Sequence, residues 1–158
     1  MCHLGKLGLS SAAAALMLAG AGDPVSVELS GPANDLDGAG VLVELKNQSP
    51  KAVKAVGLLV EYPDEHGRSS LRREITMVWG LKPADPVQSR KPGESWRHRL
   101  PAVRRTSDGL PASCRVTVDY VLFDDATTWG PDTAKLSKRI RGFQAGFEAA
   151  LATTGAKP

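Results

Sequence analysis

Nucleophilic or general-base chemistry needs a nucleophile with a base in hydrogen-bond reach and a site for the developing oxyanion. Beyond residue 21, this chain of 158 residues offers two histidines, His66 and His98, and one cysteine, Cys114. His66 falls in the turn 63–68, His98 alternates within a strand pattern, and Cys114 opens the apolar face of another strand. There is no G-x-S-x-G elbow to present a serine. No residue is assigned as catalytic, and the chain reads as non-enzymatic. The competing reading is a small secreted hydrolase or metal-dependent enzyme built on His66, His98 and the acidic loops.

Metal chemistry has one partial pattern. Asp35, Asp37, Gly38 and Glu44 occupy the third, fifth, sixth and twelfth places of a calcium loop that would begin at Ala33. The first place lacks its acid, and residues 41–44 read as strand where a helix should follow. A turn rich in Asp and Gly accounts for the same residues. Asp35, Asp37 and Glu44 are therefore carried as a calcium candidate, with no metal and no cofactor assigned. Asp64, Glu65 and His66 are too compact and incomplete for zinc, and Asp124-Asp125 suits a hairpin tip.

Binding surfaces have more candidates. Aromatic residues make up only 5% of the chain, so Trp79, Trp96 and Trp129 stand out as possible platforms for a peptide or carbohydrate. All three lie on strand patterns, where packing competes with recognition. Trp129 is the one expected at an edge, beside Gly130-Pro131. Lys135, Lys138, Arg139 and Arg141 make the beginning of a C-terminal helix basic. That is the unfavourable end of the helix dipole, and an anionic surface would suit it.

The elements that carry these residues follow from period. The stretch 113–123 alternates, with Cys114, Val116, Val118, Tyr120 and Leu122 on one face and Arg115, Thr117 and Asp119 on the other. It reads as a central strand that turns at 124–126. Similar alternation marks strands at 25–30, 41–47, 52–62, 72–79 and 95–100. Gly31-Pro32 is expected to end the first, and 33–40 to be a loop. The strand 52–62 is apolar on both faces, hence covered on both, with Gly57 marking a bulge or a close approach. The connection 80–93, with three prolines, is expected to be irregular and exposed. After Pro131 the period changes. Asp132 caps a helix from about Thr133 to Ala152, whose stripe is Leu136, Ile140, Phe143, Phe147 and Leu151. Gly142 and Gly146 interrupt that helix, which close contact with a sheet or a frayed end would explain.

Residues 1–21 have the form of an export signal: a basic start at Lys6, the apolar run 7–18, and small residues Ala19-Gly20-Ala21 before a cut after Ala21. The run is too short to span a bilayer. Its removal leaves Cys114 without an internal disulfide partner and 19 basic against 17 acidic residues, a net +2. That near-balance gives no reason to expect nucleic acid as a partner. The expected location is secreted or periplasmic. The expected partner is a protein or cell-envelope component, with no transmembrane segment in the mature chain.

Seven short strands and a helix imply an antiparallel sandwich over 22–131 with a helix and tail over 132–158. The N-x-S-P at Asn47–Pro50, the P-G-E at Pro92–Glu94 and F-D-D-A-T-T-W-G-P at Phe123–Pro131 resemble those of secreted bacterial immunoglobulin-like modules. The resemblance covers roughly 41–143. It implies an immunoglobulin-like fold and an export route, and carries no activity or catalytic residues. The cysteine pair and intervening tryptophan of antibody-type domains are missing.

Overall fold

The computed structural model describes residues 22–35, 38–63, 66, 69–82, 85–101 and 114–154. The expected export signal 1–21, Asp37 and Asp64-Glu65 lie outside the described residues. The order of elements is β1 (Val25–Asp35), β2 (Gly38–Asn47), β3 (Val53–Pro63), β4 (Ser69–Val78), β5 (Ser95–Pro101), β6 (Arg115–Phe123), β7 (Thr128–Trp129) and α1 (Leu136–Thr154). They form two antiparallel sheets, ordered β1-β2-β5 and β4-β3-β6-β7. The chain is therefore mainly β, with seven strands in two sheets and one C-terminal helix.

One core joins the two sheets. Val25, Val43, Leu45, Trp96 and Leu100 come from the first, and Val56, Leu58, Val60, Tyr62, Val121 and Phe123 from the second. Strand β3 is covered on both faces, as its sequence requires. Val56, Leu58 and Val60 face the first sheet, while Ala55 packs with Leu136 and Ile140 of α1 on the other side. Gly57 belongs to that outer face. A Cβ there would lie 2.7 Å from Leu136 Cδ1 and 2.9 Å from Leu136 Cβ. Only hydrogen at this position lets the helix sit on the sheet.

Three elements depart from the pattern-based expectation. Strand β1 does not stop at Gly31-Pro32. The register shifts between Leu29 and Gly31, after which pairing continues to Asp35 opposite Gly38. β1 is an edge strand, where a proline's missing N–H costs no ladder bond.

Strand β6 does not keep one face throughout. Its partners on β3 jump from Val118 opposite Leu58 to Tyr120 opposite Gly57, leaving Asp119 as an extra residue. Such a bulge reverses the facing of everything after it. Val116 and Val118 face the inter-sheet core, but so do Val121 and Phe123, while Tyr120 and Leu122 turn to α1.

The helix begins at Leu136, not at Thr133. Asp132 (φ 50°) and Lys135 (φ 55°) have left-handed backbones that a helix cannot contain. Asp132 still serves the helix start, its carboxylate accepting hydrogen bonds from the Ser137 amide (2.9 Å) and hydroxyl. The first turns are the most deeply anchored: Leu136 and Ile140 are fully buried, whereas Phe143 is 50% exposed and Phe147 is half-buried under Lys82. A Cβ at Gly142 or Gly146 would meet nothing within 4 Å, so close contact with a sheet is not what placed glycine there.

Candidate functional site

At one end of the sandwich, the N-x-S-P and P-G-E segments meet. Asn47 is fully buried. Its Nδ2 donates to the carbonyls of Lys51 (2.8 Å) and Arg90 (3.0 Å), and its Oδ1 accepts from the Ser49 amide (3.0 Å) and hydroxyl (2.7 Å). Its backbone closes on the second segment, accepting from the Gly93 amide at 2.8 Å and donating to the Glu94 carbonyl at 3.0 Å. Gly93 (φ +77°) takes the left-handed conformation this turn demands.

Arg90 lies within the same knot. It exchanges two backbone hydrogen bonds with Val53, each 2.8 Å. Its guanidinium sits 5.1 Å over the Trp79 ring and 5.5 Å over the Trp96 ring, and the two indoles meet edge to face at 5.3 Å. Arg90 also pairs with Glu94 at 2.7 Å. That bond and the Lys91 amide hold the Glu94 carboxyl below its ordinary range. The connection 80–93 is thus tied to the sandwich at Arg90, and is braced within itself by Gln88 and Asp85 bonding to the Lys82 backbone. Trp96 is buried, and Trp79 half-buried, as parts of this packing.

Trp129 lies half-buried at the end of the edge strand β7, and its groove borders the Ser49–Lys51 side of the same end. It shares an open groove of about 560 Å³ with Phe123, Lys51, Thr127 and the segment Gly22–Pro24. Lys51 lies over the Phe123 ring at 5.6 Å and pairs with Asp125 at 2.7 Å. Bonds from Lys51 and from Thr127 bring the Asp125 carboxyl down to about 2. Asp125 also accepts from the Thr127 amide and hydroxyl, so the acidic tip is a hydrogen-bonded turn.

β7 is only two residues long, and it pairs with Val121 and Leu122 of β6 alone. Beyond it, Asp119 takes over. Its carbonyl accepts from the Asp132 amide, and its carboxylate from the Thr133 amide and hydroxyl and the Ala134 amide. Among the described residues, the remaining stretch Arg115–Val118 has β3 on one side and no strand on the other. Cys114 and Val116 are left half-buried there.

The basic helix residues divide. Lys135 and Lys138 are exposed, while Arg139 reaches Glu74 of β4 at 3.8 Å. Arg139 also lines a second groove, about 440 Å³, together with Arg72, Arg73, Glu74 and Ile75 of β4 and His98 of β5. The groove lies where the edge strands of the two sheets face one another.

The sequence candidates for catalysis do not converge. His66 is exposed in its turn, and His98 is half-buried in the second groove, where desolvation lowers its pKa. Desolvation raises the Cys114 thiol, and it raises the Tyr62 phenol too, with Cys114 nearby adding to that rise. The calcium candidates separate as well. Asp35 ends β1, whereas Glu44 lies six residues along β2 from Gly38, roughly 20 Å at strand rise. Glu44 is bound there to Arg97 at 3.2 Å. Among the described residues, no three His, Cys, Asp or Glu side chains form a metal-binding group.

Sequence reasoning missed Arg90, Arg72 and Arg73. Arg90 carried no local pattern, and Arg72-Arg73-Glu74 gave a run of charge on a strand whose edge position only the sheet order shows. No protein-family model, curated protein or solved structure matches the chain.

Proposed function

We propose that this is a secreted or periplasmic, non-enzymatic immunoglobulin-like module that binds a protein of the cell envelope by accepting an extended strand along β6. Export rests on the form of residues 1–21, with cleavage after Ala21. The immunoglobulin-like assignment rests on strand order. Three strands β1-β2-β5 oppose a sheet in which β3, β6 and β7 are neighbours, as in that sandwich, while β4 joins β3 where the seven-strand constant-type order would place it in the first sheet.

The observation that carries the binding reading is the truncated last strand. β6 is nine residues long, and β7 covers two of them. The other long edge of the same sheet, β4, presents Arg72, Arg73 and Glu74, and charge is a standing defence against strand addition. The open part of β6 has Arg115 as its one charged residue, and half-buried Val116 would gain cover from a neighbour. A partner strand with apolar residues at alternate positions fits this edge, with backbone bonds giving affinity.

Proline scanning tests it. Neighbouring residues of an antiparallel strand direct their backbone bonds to opposite sides. One of Val116→Pro and Thr117→Pro therefore blocks the open edge and is tolerated, and the other breaks the β3 ladder. The tolerated variant, crosslinked in its native envelope, is expected to lose the adducts that the parent protein forms. Undiminished adducts in that variant, or none in the parent, would reject strand addition at β6.

A further inference from the structure

The groove between β4 and β5 is lined mainly by cationic side chains. Three guanidiniums, from Arg72, Arg73 and Arg139, line it with the His98 imidazole, against the single carboxylate of Glu74. With His98 neutral the lining carries three positive charges against one negative, a net +2. The whole chain carries only +3 over 158 residues, so most of its excess is matched by this one groove.

The three arginines arrive from different directions. On β4, Ile75 packs toward the inter-sheet core, and Arg73 shares its side of the strand. Arg72 and Glu74 project from the other side, where α1 lies and Arg139 meets Glu74. Glu61 stands opposite Arg72 across the β3–β4 ladder but does not line the groove. His98 enters from β5 of the first sheet, half-buried. The groove therefore wraps the exposed edge of β4, with cationic groups on both sides of it.

The Arg139–Glu74 pair does not close the site. Its 3.8 Å separation is long for a charge-assisted hydrogen bond, and the side chains are 51% and 41% exposed. Arg139 can turn to a better acceptor at little cost. By contrast, Arg90 and Arg97 are held at 2.7 and 3.2 Å by Glu94 and Glu44.

We propose that the groove lined by Arg72, Arg73, His98 and Arg139 is a binding site for a phosphate monoester or a comparable dianionic phosphate group. A net charge of +2 is balanced by a dianion and not by a single carboxylate, and phosphate monoesters carry about −1.5 to −2 at neutral pH. Guanidinium forks match phosphate oxygens two at a time. Ile75 supplies an apolar wall, and about 440 Å³ is room for a small phosphorylated molecule. His98 adds a ring N–H donor in either protonation state.

The test uses the chain from Gly22 onward with inorganic pyrophosphate as the probe, titrated by calorimetry at low salt. Side-chain NMR of the His98 and arginine Nε groups is the second readout. Saturable binding is expected, with shifts confined to His98, Arg72, Arg73 and Arg139. The double variant Arg72→Ser/Arg73→Ser should weaken binding about tenfold or more, the range for losing hydrogen bonds to a charged group. The control Arg97→Ser, on an arginine that does not line the groove, should bind as the parent does. Acetate at equal ionic strength should give no saturable shifts at His98. Unsaturable binding, equal loss in the Arg97 control, or equal response to acetate would overturn the proposal. So would retention on phosphatidylcholine vesicles doped with phosphatidate without any binding of free pyrophosphate, since the occupant would then be a membrane surface. Arg72 and Arg73 are both exposed, and a thermal melt matching the parent establishes that lost binding is not lost fold.

Discussion

Two arginine-bearing regions of this sandwich do opposite things with their charge. At the Asn47 end, Arg90 is closed in by Trp79, Trp96 and Glu94, and each polar atom of the Asn47 side chain has a partner within the chain. In the β4–β5 groove, Arg72 and Arg73 are exposed, and Arg139 keeps only a long contact with Glu74. At this end the polar groups are directed into the fold, with Arg90 Nε and Trp96 Nε1 buried without a hydrogen-bond partner, and a knot so placed specifies structure. Cations converging on an open groove with one carboxylate leave electrostatic potential for something else. The difference separates the residues that hold the sandwich closed from those able to recognise a ligand.

The largest effect expected from this contrast is at Asn47. Asn47→Ala removes four side-chain hydrogen bonds, leaving the Arg90 carbonyl with its bond from the Val53 amide and the Lys51 carbonyl with its bond from the Ser49 hydroxyl. With about 1 kcal/mol per bond, about 4 kcal/mol of unfolding free energy should be lost. Urea unfolding of the parent and variant measures it. A loss below about 1 kcal/mol would show that the knot is not what closes this end.

Arg90→Lys is the sharper probe, since it keeps charge and discards the planar fork. A lysine cannot cover two indole faces and a carboxylate together. The expected loss is about 1–2 kcal/mol, the range for stacking and a charge-assisted bond. Near-UV circular dichroism should change with it, because Trp79 and Trp96 share the site. The groove should answer differently. Arg72→Ser/Arg73→Ser is expected to move stability by less than about 0.5 kcal/mol, as for surface changes generally. A loss comparable to that of Arg90→Lys would erase the distinction between the two regions.

Much of the framework was legible because period reports burial directly. The two apolar faces of β3 announced a strand covered by a sheet and by something else, and Gly57 marked where that something, Leu136, comes close. The reversal within β6 was not legible. Asp119 looks like one more outward polar residue of an alternating strand. Its role as the bulge appears only when β3 and the 130–134 turn bracket it. The helix start was hidden for a related reason. Asp132 has the side chain of a cap, and nothing local says that Lys135 will be left-handed. The groove needed β4, β5 and α1 to be placed before Arg72, His98 and Arg139 could be seen as neighbours, because residues so far apart share no local period. The knot lay between those extremes. Both turn motifs were visible, yet their union through Asn47 and Arg90 depends on contacts some 43 residues apart.

The smallest expected effect tests the electrostatics of the closed end by itself. The hydrogen bond from Arg90 and the Lys91 amide lower the Glu94 pKa from 4.5. A carboxyl whose pKa is lower folded than unfolded binds fewer protons in the folded state, so its contribution is complete above the unfolded value. It is lost as pH falls below about 4.5 and through the lower folded value. Melting temperatures of the parent and Glu94→Gln should therefore differ most at neutral pH and draw together in acid. Glu94 lies near the surface, and solvent screening keeps the difference small. If the two curves instead run parallel from pH 7 to pH 3, the pair is a contact without linkage, and Arg90 is held at this end by its tryptophans and its bonds to Val53 alone.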